Sequence, residues 1–231
     1  MQPYYQDNLV TLYQGDCLEI MPRLDTKFDL VLTDPPYLIS DAGGGGAFGT
    51  KKREYLKIVT ENLSRGFDFD ALDMAHQLQT KINSYVFCSK NQIKQLLEYY
   101  QDYNYDVLVY HKKNPTPTCN NKYLSDIEYI IFARQPGVPL YGDYNTKSKL
   151  FSQNIIKNQF EHPTVKPLNI IKTLILNSTK KGDIILDIFA GSGTTGRACK
   201  DLQRKCVLIE KEQKYCEIIV DRLKQEALEL T

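Results

Sequence analysis

Residues 183–210 read DIILDIFAGSGTTGRACKDLQRKCVLIE, and this stretch decides the fold. The apolar run Asp183–Ile188 predicts a strand, and the turn Gly191-Ser192-Gly193-Thr194-Thr195-Gly196 follows it. Thr194–Leu202 then has helical spacing, and Lys205–Glu210 is a second apolar run. Strand, glycine turn, helix and strand make a βαβ unit of a parallel sheet. Working outward, further strands are predicted at Val10–Gln14, Asp29–Thr33, Ser84–Ser89, Asp106–His111 and Ile127–Ala133. Most are apolar throughout, the pattern of strands covered on both faces. Amphipathic segments predict helices at Leu18–Leu24, Phe69–Ile82, Gln92–Tyr103, Pro167–Asn177 and Gln213–Leu228. The alternation specifies an α/β, doubly wound sheet. Asp106–His111 and Ile127–Ala133 are joined only by the Pro/Asn-rich KKNPTPTCNNKYLS, which predicts an antiparallel hairpin at one edge.

The chain of 231 residues, 42% hydrophobic and 25% charged, has the balance of an ordered globular domain, and 1–231 is read as one domain. Its 29 basic and 28 acidic side chains sum to +1, so any attraction for nucleic acid has to be local. No apolar run reaches membrane-spanning length, and MQPYYQDNLV lacks the pattern of a secretory signal, so no membrane association and a cytoplasmic location are expected. Six scattered cysteines, without C-x-x-C and away from the three histidines, read as buried reduced thiols rather than a metal site. Two stretches, Leu38–Gly66 and Arg134–Glu161, resist assignment to the sheet. Leu38–Gly66 and the longer span from Lys112 to Glu161 each carry a modest excess of basic residues, and loops this long in a compact domain are commonly functional.

The turn Gly191–Gly196 matches G-x-G-x-x-G between strand and helix, and Glu210 ends the next strand 19 residues after Gly191. Glycines permit close approach of a ligand, and a carboxylate at the next strand tip accepts hydrogen bonds from ribose hydroxyls. Any adenosine-containing cofactor satisfies this outline. Asp187, four residues before Gly191, separates the candidates. A carboxylate there repels the pyrophosphate of NAD and attracts the ammonium of an amino-acid group, favouring S-adenosylmethionine.

A second motif, Asp34-Pro35-Pro36-Tyr37, ends FDLVLT, at the strand end where α/β sheets bind ligands. Each proline keeps the residue before it out of helical geometry, so the turn offers rigid main-chain acceptors. The exocyclic amine of adenine or cytosine shares its lone pair with the ring. Hydrogen bonds accepted by the Asp34 carboxylate and the Pro35 carbonyl turn the N–H bonds away and aim that lone pair at a sulfonium methyl. Preorganised acceptors also stabilise the positive charge that develops on nitrogen. Tyr37 supplies a flat face for stacking a base taken out of its helix.

Together these motifs resemble the amino-methyltransferases of nucleic-acid bases, which pair an (Asp/Asn/Ser)-Pro-Pro-(Tyr/Phe/Trp) turn with a glycine-rich cofactor loop. The turn precedes the loop, and His162-Pro163-Thr164-Val165-Lys166-Pro167 lies between them. That circularly permuted order is similar to the β group of DNA adenine-N6 and cytosine-N4 methyltransferases. The resemblance implies a Rossmann-like methyltransferase sheet in spatial order 3-2-1-4-5-7-6. Asp183–Ile188 would be strand 1, Lys205–Glu210 strand 2, Val10–Gln14 strand 3 and Asp29–Thr33 strand 4. It further implies that Asp16 and Cys17, in Gly15-Asp16-Cys17, sit at the cofactor adenine and Glu210 at its ribose. Asp187, Phe189, Gly191, Gly193 and Thr194 would surround the methionine part, with Thr164 and Lys166 closing over its carboxylate. Asp34, Pro35, Pro36 and Tyr37 would be the catalytic turn.

Two positions depart from the family pattern: Ile188 stands where a proline is common, and Tyr110-His111-Lys112 where relatives have Trp-Lys. Aspartate at the head of the turn points to adenine rather than cytosine. The implied activity is methyl transfer from S-adenosylmethionine to adenine N6 in double-stranded DNA, leaving S-adenosylhomocysteine, with no metal. Residues 38–66 and 112–161 would be the DNA-recognition loops, and the group's habits suggest a homodimer and a cognate restriction endonuclease. The glycine loop alone would also suit an NAD-dependent oxidoreductase, and the fold alone a noncatalytic DNA-binding subunit.

Overall fold

The computed structural model describes residues 1–36, 69–115, 121, 123–155 and 165–224. Tyr37, Thr164, Cys119, the loop 38–66, parts of 112–161 (116–120, 122 and 156–161) and the end of the last predicted helix (225–228) lie outside the described residues.

Along the chain come β1 (Tyr5–Gln6), β2 (Val10–Gln14), α1 (Cys17–Ile20) running into a 3-10 turn (Met21–Arg23), and β3 (Leu30–Thr33). Then follow α2 (Phe69–Gln77), β4 (Asn83–Cys88), α3 (Ile93–Tyr99), β5 (Asn104–Lys112), β6 (Ile127–Arg134) and β7 (Leu150–Gln153). The last elements are α4 (Leu168–Ser178), β8 (Ile184–Asp187), α5 (Thr194–Leu202), β9 (Lys205–Glu210) and α6 (Gln213–Lys224). The strands form one sheet in the order β1-β2-β9-β8-β3-β4-β6-β5-β7. From β2 to β4 all pairings are parallel, whereas β6 runs antiparallel to both β4 and β5. Without the two outermost strands this is the spatial order expected from the sequence.

The outermost strands are the main difference. The β5–β6 hairpin is not the edge, because Leu150–Gln153, from a stretch the sequence leaves outside the sheet, pairs parallel with β5. Its sequence LFSQ alternates exposed and half-buried residues, and main-chain bonds rather than an apolar run hold it there: Val109 N donates to Lys149 O at 2.7 Å and Lys113 N to Gln153 O at 3.0 Å. At the opposite edge β1 folds back antiparallel on β2. Helix α2 also stops short of Ile82. The chain after Gln77 returns to the sheet, with Phe28 N donating to Leu78 O at 2.9 Å and Phe28 bridging Gln79.

Both faces of the sheet are covered. In β3 every residue is buried. Leu30 and Leu32 pack with Ile170, Leu174 and Ile175 of α4, in a core that α5 and α6 complete through Cys199 and Ile219. Val31 faces the other way, against Ile20 of α1 and Ala71 and Ala75 of α2. Leu96 and Tyr100, at α3, cover Val86 and Ile131 on that second side. Burying each such side chain contributes about 1.5–3 kcal/mol. This two-sided burial explains why the central strands are uniformly apolar.

The chain order reverses between β8 and β3. From β8 it runs through α5 to β9 on one side, while β3 leads to β4 on the other. Open α/β sheets bind ligands in the crevice at the carboxyl ends of such a pair. Asp187 closes β8 and Asp34 follows β3, so the two motifs meet there.

Candidate active site

On the β8 side, Asp187 is 4% exposed and fully engaged. Its Oδ1 accepts from Thr33 Oγ1 at 3.0 Å and Phe189 N at 3.2 Å, and its Oδ2 from Thr195 Oγ1 at 2.6 Å. Burial pushes its carboxyl up to about 6, and nearby Asp34 adds to the rise against those hydrogen bonds. Gly191 and Gly193 hold the loop in left-handed geometry, φ 51° and 75°, which glycine adopts without strain. Glu210, at the end of β9, accepts from Gly191 N at 2.7 Å and Glu212 N at 2.8 Å. Burial pushes it up to about 7, with the charge of Asp187 contributing. Asp16, after β2, caps α1 through Leu18 N at 3.0 Å and pairs with Lys211 Nζ at 3.1 Å; those contacts hold its carboxyl below its ordinary value. Cys17 is buried, and burial pushes its thiol up to about 11, so it packs rather than reacts.

Three carboxylates and a glycine loop at neighbouring strand tips suit an adenosine-bearing cation. Hydroxyls and amines find acceptors, and a positive charge finds negative partners. Thr194 departs from its expected place: its Oγ1 accepts from Arg222 Nη1 at 2.9 Å, on the α6 side of the loop. The neighbouring Thr195 is the threonine that reaches Asp187. Arg222 also donates to Ser192 O at 3.1 Å, bracing the loop from behind.

On the β3 side, Pro35 is buried, and Pro36 O accepts from Gln92 Nε2 at 2.9 Å. Gln92 is 2% exposed, and its own Oε1 accepts from Ser89 Oγ at 2.8 Å, so the β4–α3 junction anchors the turn. Lys166 Nζ lies 2.6 Å from Asp34 Oδ2 and 3.2 Å from Glu128 Oε2, and Lys112 Nζ lies 2.6 Å from Glu128 Oε1. Burial alone would lower the Lys166 ammonium, but Asp34 and Glu128 outweigh it and raise it. Burial would raise Glu128, but Lys166 and Lys112 hold it below the ordinary carboxylate value. Lys166, assigned by resemblance to the cofactor carboxylate, is thus placed against the Asp-Pro-Pro turn. Tyr110 is 2% exposed, packs in the core and pairs across the hairpin with Glu128, within electrostatic reach of Glu128 and Lys166.

Gln92, Glu128, Thr195 and Arg222 escaped the sequence reading. Only Glu128 left a signal there, as an acid inside a strand otherwise apolar.

The sheet order, the glycine loop and the Asp-Pro-Pro turn at one switch point define an α/β enzyme of the nucleic-acid amino-methyltransferase class. The chain belongs to the DNA methylase family of N6/N4 methyltransferases, whose profile matches residues 28–221. It is 31% identical to Type II methyltransferase M2.MboI of Moraxella bovis over 94% of this chain and 89% of that one. It is 28% identical to Type II methyltransferase M2.DpnII of Streptococcus pneumoniae over 97% and 93%. Among solved structures, the M1.HpyAVI–SAM complex superposes with a TM-score of 0.69 at 26% identity, covering 93% of this chain and all (100%) of that one. The cytosine-N4-specific PvuII DNA methyltransferase shares the fold, with a TM-score of 0.72 at 17% identity over 98% and 90% of the two chains. Among the described residues no helix is long and apolar enough to cross a membrane.

Proposed function

We propose that this enzyme methylates the N6 amine of adenine in double-stranded DNA, the base being taken out of the helix into the crevice between β3 and β8. The observation that carries the reading is the Asp34-Pro35-Pro36 turn, anchored by Gln92 and Lys166 across from Asp187. S-adenosylmethionine supplies the electrophilic methyl on a sulfonium and leaves as S-adenosylhomocysteine. Asp187, Glu210 and Asp16 would hold the cofactor's cationic and hydroxyl-bearing ends, with Cys17, Phe189, Gly191, Gly193 and Thr164 around it, while Thr194 braces the loop through Arg222. The Asp34 carboxylate and the Pro35 carbonyl accept the two amine N–H bonds, and Tyr37 stacks on the base. The nitrogen lone pair forms the new N–C bond as the C–S bond breaks, its electron pair returning to sulfur. The nitrogen then loses one proton to water, leaving the methylamine neutral.

Turn before glycine loop, with the His162–Pro167 segment between, supports the permuted β group. Aspartate at the head of the turn supports adenine over cytosine. Residues 38–66 and the parts of 112–161 outside β6 and β7 would serve as the DNA-recognition segments, since Ile127–Arg134 and Leu150–Gln153 belong to the sheet. Two relatives named type II methyltransferases support a partner endonuclease of matching specificity and work in the cytoplasm, where the DNA is. A homodimer would widen the DNA surface, and light scattering of the purified protein reads it directly.

Labelled cofactor and unmethylated mixed-sequence DNA test the function. Label is expected in the DNA with wild type and not with Asp34→Ala. Cofactor bound without transfer to any DNA would overturn the reading in favour of a noncatalytic subunit.

A further inference from the structure

Glu128 is 7% exposed in a strand whose buried neighbours Ile130, Ile131, Phe132 and Ala133 are apolar. A carboxylate gives up most of its hydration in such a place, so the strand keeps it only with compensating partners. Lys166 at 3.2 Å and Lys112 at 2.6 Å supply that compensation, and Lys166 reaches on to Asp34 at 2.6 Å. The four side chains alternate in sign along one line: Asp34, Lys166, Glu128, Lys112.

Two consequences follow from that alternation. A lysine ammonium on its flexible stem is not fixed by one partner; carboxylates from the turn after β3 and from β6, with the Phe87 ring 5.3 Å from Nζ, hold it in one place. Charge matters as well. Methyl transfer develops positive charge on the amine held by Asp34, and an uncompensated ammonium beside Asp34 would oppose it. Glu128 offsets that ammonium through Oε2, and Lys112, on its other oxygen Oε1, keeps the carboxylate aimed at Lys166.

We propose that Glu128, backed by Lys112, is a positioning residue for the transfer step, acting through Lys166 on Asp34. The inference rests on the reading of Asp34 as the acceptor of the base amine. Glu128 itself touches neither the amine nor the cofactor in this account, so its loss should lower turnover and spare cofactor binding.

A double-mutant cycle with Lys166 tests it, measuring kcat for methyl transfer to unmethylated DNA and the dissociation constant for S-adenosylmethionine. Glu128→Gln is expected to lower kcat about 10- to 100-fold while cofactor affinity stays within about 2-fold, and Glu128→Asp to recover part of the loss. In a Lys166→Met background the same substitution is expected to cost less than about 2-fold, because the ammonium it compensates is gone. Wild-type kcat in Glu128→Gln, full additivity with Lys166→Met, or a loss of cofactor affinity matching the loss of kcat would each overturn the proposal. Should Glu128→Gln fail to fold, Lys112→Met at the half-exposed end of the chain replaces it. A kcat reduced about 2- to 5-fold supports the proposal there, and an unchanged kcat contradicts it. Asp34→Ala in the same assays separates the two ideas. If it remains active, the reading of Asp34 fails; if it is inactive while Glu128→Gln turns over normally, only the role of Glu128 fails.

Discussion

Asp34 and Asp187 stand on either side of the switch point, and their surroundings give them different tasks. Asp34 has the Lys166 ammonium at 2.6 Å and is placed to accept hydrogen bonds. Among the described residues the donors to Asp187 are neutral: Thr33, Thr195 and the Phe189 amide. Asp34→Ala should therefore reduce transfer by about 10²–10³-fold or more with cofactor affinity retained, whereas Asp187→Ala should weaken cofactor binding first. Equal losses of both functions in both variants would contradict these roles. Burial pushes Asp187 up to about 6 and Glu210 up to about 7, above their ordinary values of 3.8 and 4.5. The folded protein thus holds more protons than the unfolded chain from roughly pH 4 to 7, and these two groups make it less stable as pH rises through that window. A cationic cofactor binds the ionised forms and reverses the penalty. The rise in Tm produced by S-adenosylmethionine should be larger at about pH 8 than at about pH 5.5. A pH-independent rise would remove these carboxylates from the cofactor site.

At the scale of elements, the glycine loop is held between β9 and α6. Gly193 has φ +75°, and a Cβ built there would lie 2.9 Å from Ile219 Cγ1 of α6. Gly193→Ala should lower stability by about 1–3 kcal/mol and weaken cofactor binding with it. A melting curve at the wild-type temperature would show that the loop tolerates a side chain. This element was readable in advance, because glycines at a strand-to-helix turn leave few alternatives, and Thr194–Leu202 and Lys205–Glu210 fall where periodicity puts them. So were the uniformly apolar central strands. β7 was not readable: main-chain bonds to β5 define it, and LFSQ carries no period long enough to see. The same limit applies within the site. Asp34, Asp187 and Glu210 announced themselves by motif, but Gln92, Glu128, Thr195 and Arg222 act through pairings between residues far apart or on separate elements. Lys166 was noticed as a cation suited to an anion. Which anion it faces in the fold, Asp34 and Glu128, depended on β6 lying beside β4.

For the whole molecule, the net charge of +1 conceals an uneven distribution. Asp16, Asp34, Asp187 and Glu210 gather at the carboxyl ends of β2, β3, β8 and β9, so basic residues elsewhere are free to form a DNA face without a basic total. β5 and β7 run parallel to each other and in the same direction as β3, so the connections leaving all three open on the edge that carries the site. A face built from phosphate contacts should lose DNA affinity about 10-fold or more between about 50 and 200 mM salt. Affinity insensitive to salt would mean the basic loops do not touch the backbone. The central claim, that this fold brings an Asp-Pro-Pro turn and a sulfonium cofactor together on adenine N6, is met most directly by identifying the product. Unmethylated DNA treated with the enzyme and S-adenosylmethionine, digested to nucleosides and resolved by mass spectrometry, should contain N6-methyladenine. N4-methylcytosine, or unmodified nucleosides from an enzyme that binds its cofactor, would contradict it.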